Sequence, residues 1–187
     1  MNEKIIFYRE WFPLDKKEFR IMAMLADKGK FKGNLSDMCR YFSLSLQQKN
    51  RKTLQESINK LNNGNWITVE RCGNTYNLNA IPKETKIRIP RKWLRTLQNH
   101  EYSSESVSWE ALLKVLLWIH NNKRDVITNA EISADLKISI STICAAKNVL
   151  KNDYEAIRSK KISEKIDEDF FKTIGQQIQA CAWWNSK

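Results

Sequence analysis

Residues 66–81 read WITVERCGNTYNLNAI, and they decide the fold of the first half of the chain. Two runs that alternate apolar and polar residues flank the pair Gly73-Asn74, and a Gly-first pair is favoured in the type II′ turn of a hairpin. A two-residue turn at this point pairs Cys72 with Thr75, Arg71 with Tyr76, Val69 with Leu78, and Ile67 with Ala80. The four apolar residues of the last two pairs then lie on one face. The stretch therefore predicts an antiparallel hairpin whose inner face packs against helices.

Two amphipathic helices are predicted upstream of the hairpin. Asp15 is followed three residues later by Glu18, a spacing typical of a capping box, and apolar residues then recur at helical spacing. Asn34 is placed to cap a second, short helix over LSDMCRYF. The FKGN segment between the two helices predicts a brief extended piece.

A third helix, SLSLQQKNRKTLQESINKL at residues 43–61, changes character along its length. Its second half carries Leu54, Ile58 and Leu61 at helical spacing, while its first half is polar and basic. The capping-box spacing of Ser45 and Gln48 predicts a start near Leu46 or Gln47, and Gly64 suits a left-handed C-cap. The recognition helix of a helix-turn-helix has this character, because its N-terminal residues contact nucleic acid and its later turns pack on the core. An ordinary surface helix with a solvated start is the alternative.

The chain continues with a second set of helices. WEALLKVLLWIHNN predicts a strongly apolar helix, Thr128 and Glu131 form a capping box for NAEISADL, and ISTICAAKNVLKN predicts a third helix. A charged hairpin over residues 155–166 is the candidate second wing, although it lacks a Gly or Asn-Gly turn. Residues 167–187 predict a final helix.

The order of a helix, a short helix, a longer helix and a hairpin in residues 14–81 is the plan of the winged helix. The segment resembles that family over its whole length. AEISADLKISISTICAAKNVL, residues 130–150, resembles the helix-turn-helix of bacterial regulators. Two unequal winged helices joined by a basic segment are similar to the DNA-binding parts of replication initiators and replisome organisers of plasmids and phages. That resemblance implies origin recognition in a mobile element.

The predicted fold class is mainly α with small β-hairpin wings, that is α+β, in two winged-helix-like modules joined by a basic connector. The N-terminal winged-helix module covers residues 1–81, and the basic connector covers residues 82–107. The C-terminal module, which is helix-turn-helix or winged-helix-like and ends in a terminal helix, covers residues 108–187. A length of 187 residues is sufficient for two small domains.

The charge of the chain favours a polyanionic partner. Its 32 Lys and Arg against 21 Asp and Glu give a net charge of +11, which attracts polyphosphate irrespective of sequence. Residues 1–81 hold 14 basic and 8 acidic residues, residues 82–107 hold 6 and 3, and residues 108–187 hold 12 and 10. A polyanion would therefore meet the first half and the connector more strongly than the end. Many basic proteins, however, bind nothing specific.

The residue types at four places suit DNA. Gln and Asn can bond bidentately to adenine, Arg to guanine and Lys to phosphate, and the basic connector suits a backbone or a minor groove. The predicted DNA-binding residues are Gln47, Gln48, Lys49, Asn50, Arg51, Lys52 and Gln55 in the third helix, Arg71 and Asn74 at the hairpin tip, Lys86, Arg88, Arg91 and Lys92 in the connector, and Ser141, Thr142 and Lys147 in the second module.

Each of these places also has a structural interpretation. The first half of the third helix can be a solvated face, and the hairpin tip can point into solvent. The connector can be a basic strand and helix start that joins two domains. The second module can serve packing or dimerisation instead of DNA contact.

Enzyme classes find little support in the sequence. It has no Gly-rich phosphate loop and no HExxH, GxSxG or DxDxDG pattern, and it has only two histidines. Cys39, Cys72, Cys144 and Cys181 lie far apart, without a CxxC pair, so neither a zinc site nor a disulfide framework is expected. No uninterrupted apolar run is long enough for a membrane helix, and the N-terminus does not read as a signal peptide. We expect a cytoplasmic, non-enzymatic chain without a cofactor and without a membrane partner.

The sequence thus predicts a sequence-specific protein that binds double-stranded DNA, in replication initiation or organisation of a mobile element. A transcriptional regulator of a phage or plasmid is one alternative, and a protein-interaction module on a helix-turn-helix scaffold is another. A homodimer and contacts with replication or transcription proteins are further partners that this interpretation allows.

Overall fold

The computed structural model describes residues 3–99, 107–122 and 128–161, with the side chains of the last helix described as far as Leu150. The chain divides into two compact units, Met1–Arg91 and Lys92–Lys187. Within the described ranges, helices combine with small antiparallel sheets. The fold is therefore α+β, which confirms the predicted class of secondary structure. The predicted connector, residues 82–107, is divided between the two units.

The first unit contains two sheets and three α-helices, followed by the start of a fourth. Its elements are β1 (Lys4–Tyr8), a 3-10 turn (Arg9–Trp11), α1 (Lys16–Lys28), β2 (Lys30–Gly33), α2 (Leu35–Tyr41), α3 (Gln48–Asn63), β3 (Ile67–Cys72), β4 (Thr75–Ala80) and β5 (Lys86–Pro90). The elements that follow are α4 (Arg91–Asn99), α5 (Trp109–Asn121), α6 (Asn129–Leu136) and α7 (Ile140–Lys161).

The hairpin forms in the predicted register. β3 pairs antiparallel with β4, and the partners are Ile67 with Ala80, Val69 with Leu78, Arg71 with Tyr76, and Cys72 with Thr75. Gly73 takes a φ of +58° in the turn, a conformation open to glycine because it has no Cβ. β2, at the predicted extended piece, pairs with the other edge of β4, so the strand order is β2-β4-β3. Phe31, Ile67 and Leu78 are buried, which places the inner face of this sheet in the core.

The core of the first unit lies where α1 and α3 meet this sheet and α2 packs on α3. Fully buried aliphatic side chains contribute roughly 1.5–3 kcal/mol each in transfer free energy. The buried helix side chains include Phe19, Met22, Met38, Leu54, Ile58 and Leu61. The apolar stripe predicted for the second half of the third helix is therefore confirmed.

The helix ends of the first unit follow the predictions only in part. Asn34 caps α2 in a capping box with Asp37, its Oδ1 accepting from the Ser36 amide at 2.8 Å. The box predicted from Ser45 does not form, because Gln47 is the N-cap of α3 and its side chain makes no capping bond. The left-handed residue after α3 is Asn65, with a φ of +55°, and not Gly64.

The first unit also contains a two-stranded sheet, formed by β1 and β5. β1 pairs antiparallel with β5, and Ile5 lies opposite Ile89 while Phe7 lies opposite Ile87. Those four residues are buried, whereas Lys4, Ile6, Lys86 and Arg88 on the opposite face are exposed. The sequence indicated β-like character for the start of the connector but not this pairing with the N-terminal strand.

In the second unit, α5, α6 and α7 pack against one another. α5 is buried from Glu110 to Ile119, and the predicted capping box of Thr128 and Glu131 forms at α6. α7 runs from Ile140 to Lys161, so the second wing predicted over residues 155–166 is wrong as far as Lys161. The remainder of that segment and the predicted final helix, residues 167–187, lie outside the described residues.

Candidate nucleic-acid interface

A cleft opens in the first unit between the start of α2, the first half of α3 and the tip of the β3–β4 hairpin. Its volume is about 340 Å³. The lining residues, none of them acidic, are Asn34, Leu35, Ser36, Arg51, Gln55, Arg71, Asn74 and Tyr76. Four of these were predicted as DNA-binding residues from two separate segments of sequence. The structure brings them together in one place, which we call the α3–hairpin cleft.

α3 supplies one wall of the cleft because its opposite face is held in the core. Leu54 and Ile58 are buried, and residues on a helix that are three or four positions apart lie on the same side. Arg51 and Gln55 form such a pair on the face that lines the cleft. Arg51 is exposed, while Gln55 is half-buried. The buried stripe therefore fixes the direction in which Arg51 projects.

Gln55 and Tyr76 join the hairpin to α3. The Tyr76 hydroxyl donates to Gln55 Oε1, and Gln55 Nε2 donates to Asn59 Oδ1 at 3.1 Å. Both ends of the Gln55 amide thus have partners within the protein, and Tyr76 is buried. The sequence predicted that Gln55 presents its amide to a base. In the structure that amide is bonded within the protein, and Gln55 shapes the floor of the cleft.

Arg71 is held at the other wall by the turn. Its Nε donates to the Gly73 carbonyl at 2.9 Å, and its guanidinium carbon lies 5.4 Å from the centre of the Tyr76 ring. The preceding carboxylate, Glu70, accepts a hydrogen bond from Asn77 at 2.9 Å. The hydrogen bond and the aromatic ring together orient the Arg71 guanidinium. Its remaining N–H groups can bind an anion.

The polar start of α3 is exposed, with one exception. Gln47, Gln48, Lys49 and Lys52 are exposed along with Arg51. Asn50 is half-buried, and its Nδ2 donates to the carbonyl and the hydroxyl of Ser45 at 3.0 and 2.9 Å. That amide stabilises the chain entering α3, where Gln47 provides no side-chain cap. Asn50, predicted to bind DNA, thus uses its Nδ2 group within the protein.

The basic residues of the predicted connector separate into two groups. Lys86 and Arg88 lie on the exposed face of β5, and Lys4 is exposed on β1 beside them. Arg91 instead turns into the first unit, where its Nε lies 3.0 Å from Asp27 Oδ1 and its Nη1 pairs with Glu3. Its charge is compensated by two carboxylates, which does not favour the phosphate contact predicted for Arg91. Lys92 is half-buried.

The second unit presents hydroxyl groups at the start of α7. Ser139 lies 3.0 Å from Ser141 and 2.8 Å from Thr142 between hydroxyl oxygens, and it accepts from the Thr142 amide. Ser141 is exposed and Thr142 half-buried. Lys147 is 6% exposed, and its Nζ donates to Asn129 Oδ1. The ammonium group of Lys147 is therefore used inside the unit, which does not favour the DNA contact predicted for it.

Several parts of the cleft were not identified from sequence. Leu35 and Ser36 line it because the Asn34 cap fixes the start of α2 beside α3, and Tyr76 lines it because it pairs with Arg71 across the hairpin. The Arg71–Tyr76 pairing was predictable from the register, and it is the signal that could have identified Tyr76.

Burial raises the pKa of the Cys39 thiol, and the positive charge of Arg51 opposes that increase. Cys39 is fully buried in α2, whereas Cys72 is exposed at the end of β3. The two thiols therefore differ in access, because Cys39 is enclosed in the core and Cys72 is open to solvent.

The described residues contain no group of three His, Cys, Asp or Glu side chains that could hold a metal ion. Within the same ranges, no helix combines the length and apolar character needed to cross a membrane. No protein-family model matches the chain, and neither a curated protein nor a solved structure matches it.

Proposed function

We propose that the chain is a sequence-specific double-stranded DNA-binding protein whose first unit acts as a winged helix. The observation that carries this proposal is the α3–hairpin cleft, to which two separate elements bring Arg51 and Arg71 with no acidic lining residue. α3 would lie in the major groove with its exposed N-terminal residues toward the base edges, and the hairpin would follow the adjacent backbone. Binding involves no chemical step in this proposal.

The arrangement of elements supports this placement. α1, β2, α2, α3 and the β3–β4 hairpin follow one another, and β2 completes a small sheet with the hairpin. The third strand, β2, stabilises the hairpin by pairing with β4, because a two-stranded hairpin alone is marginally stable. The tie between Tyr76 and Gln55 then sets the hairpin tip beside α3.

Two further surfaces have subordinate roles in the proposal. Lys4, Lys86 and Arg88 on the outer face of the β1–β5 sheet would engage backbone phosphates without reading sequence. The start of α7, with Ser141 and Thr142, would read a neighbouring half-site or hold a partner protein. The burial of Lys147 lowers the basic charge at that second surface.

The biological role that we propose is replication initiation or organisation in a mobile element. It rests on the resemblance of the two-module plan to plasmid and phage replication initiators. Regulation of transcription is the alternative, and the geometry of the DNA site separates the two. Direct repeats favour origin binding, whereas a palindrome favours a dimeric regulator.

Selection of bound duplexes from a random library tests the proposal. The wild-type chain is expected to enrich one sequence, with an affinity that falls steeply as salt rises. A Gln47→Ala, Gln48→Ala, Arg51→Ala triple variant is expected to lose or relax that preference, because these exposed side chains lie at the start of α3. An Asn62→Ala, Asn63→Ala double variant, which removes two exposed amide side chains from the last turn of the same helix, serves as the matched control. Absence of any enriched sequence, or the same sequence bound equally well by the triple variant, would contradict the proposal.

Cys72 offers a native probe of the hairpin. It is the exposed residue between Arg71 and Gly73, so bound duplex is expected to slow its alkylation several-fold by excluding the reagent. Cys39 is buried and its thiol pKa is raised, so it should react only when the unit opens. Peptide mass spectrometry after timed iodoacetamide treatment measures both rates. Equal Cys72 rates with and without saturating selected duplex would remove the hairpin from the interface.

A further inference from the structure

Exposed apolar side chains mark the start of α3 in the first unit and the start of α7 in the second. Among the described residues, the large hydrophobic side chains that are exposed are Ile6, Leu46 and Ile140, at 36%, 46% and 51%. Leu46 lies immediately before Gln47, the N-cap of α3, and Ile140 is the first residue of α7. Single exposed apolar residues are ordinary on a protein surface. Two of these three side chains lie at the starts of α3 and α7. Both helix starts were assigned to DNA contact, so apolar surface is exposed where DNA would bind.

The exposure of Leu46 has a local cause. An apolar residue just before the N-cap commonly packs against the fourth helical residue in a hydrophobic staple. In α3 that fourth residue is Arg51, which lines the cleft instead of covering Leu46. The side chain is therefore left open beside the exposed amides of Gln47 and Gln48.

This set of neighbours matches one base pair. In the major groove, an A·T pair shows the N6 and N7 groups of adenine, which suit a Gln amide, and the 5-methyl group of thymine, which suits an apolar side chain. We propose that Leu46 is a specificity-determining residue that contacts the 5-methyl group of a thymine in the bound duplex. The inference rests on the proposed function, since it assigns base chemistry to the same interface.

Replacement of thymine by uracil tests the contact, because it removes only the methyl group. In the duplex selected by the wild-type chain, each thymine is replaced singly by deoxyuridine, and affinity is measured at constant salt. One position is expected to weaken wild-type binding about four- to tenfold, the value of one buried methyl group. Leu46→Ala is expected to bind the thymine and uracil forms equally at that position. Leu46→Met, which restores an apolar side chain, should recover the preference for thymine.

Ile6→Ala is the matched control, since it removes an exposed apolar side chain from β1 in the same unit. It is expected to keep the full uracil penalty. The inference is overturned if no thymine shows a penalty, or if Leu46→Ala retains the wild-type penalty, as it would if Leu46 faced a protein partner. Failure of the proposed function looks different, because the wild-type chain would then select no duplex at all and the inference would fall with it.

Discussion

Alanine in place of both Arg51 and Arg71 is expected to weaken specific DNA binding by about ten- to hundredfold, on the scale of losing two charged contacts. Both guanidinium groups line the α3–hairpin cleft, and no carboxylate lines it with them. If both contact phosphate, the slope of log affinity against log salt should also decrease in magnitude by about two, because each lost phosphate contact removes about 0.9. Fluorescence anisotropy over a salt series measures affinity and slope together.

Arg40→Ala is the control for the loss of an exposed guanidinium. Arg40 lies on α2, its side chain is 65% exposed, and it pairs with Asp37 at 2.9 Å. It lies outside the lining of the cleft, so the salt slope should stay near the wild-type value. The free energy of unfolding should also change little in the double variant, because Arg51 and Arg71 are exposed. A double variant with the wild-type slope would show that the cleft does not hold DNA phosphates.

The local features of the fold were predictable because their signals are short-range. The β3–β4 register followed from a two-residue period on each side of Gly73-Asn74, since a shift by one residue would expose the buried face. Helix starts at Asn34 and Thr128 followed from side chains that bond to amides within the same turn. In these cases the partner lies within a few residues along the chain. The same spacing is not sufficient everywhere, because Asp15 is the N-cap of α1 without a side-chain capping bond and the box predicted from Ser45 does not form.

The features that escaped prediction depend on distant partners. β1 pairs with a strand about eighty residues later along the chain, and a basic, alternating segment such as β5 suits either a free connector or a sheet edge. Lys147 lies on a helix whose residue pattern does not distinguish a buried lysine from an exposed one. Its position depends on Asn129, which offers an oxygen to the ammonium group inside the second unit.

In the candidate site, the exposure of single residues was predictable, but their arrangement in space was not. The sequence assigned Arg51 to the exposed face of the third helix and Arg71 to the hairpin, and both are exposed in the structure. It did not predict their convergence, because the angle between the hairpin and α3 depends on the Tyr76–Gln55 hydrogen bond and on the capped start of α2. That same bond uses the Gln55 amide, which the sequence had left available for a base.

Asp27→Ala is expected to lower the free energy of unfolding by about 2–3 kcal/mol. Asp27 is 10% exposed at the side chain, where its carboxylate lies 3.0 Å from Arg91 Nε and accepts from the Tyr41 hydroxyl at 3.2 Å. Its removal leaves the Arg91 guanidinium without that partner beside α1 and α2. A fully buried ion pair that is broken costs about 3–5 kcal/mol, and the lower value applies here because a quarter of the Arg91 side chain is exposed. Urea unfolding measures the loss.

Two further variants test whether the loss of stability comes from the buried ion pair between Asp27 and Arg91. Glu3→Ala removes the other carboxylate that pairs with Arg91, but Glu3 is 64% exposed, so it should cost less than about 1 kcal/mol. Arg91→Ala is expected to destabilise the first unit while leaving the salt slope of DNA binding unchanged, the reverse of the Arg51 and Arg71 variant. A reduced slope for folded Arg91→Ala protein would instead return Arg91 to the DNA interface, where its sequence alone had placed it.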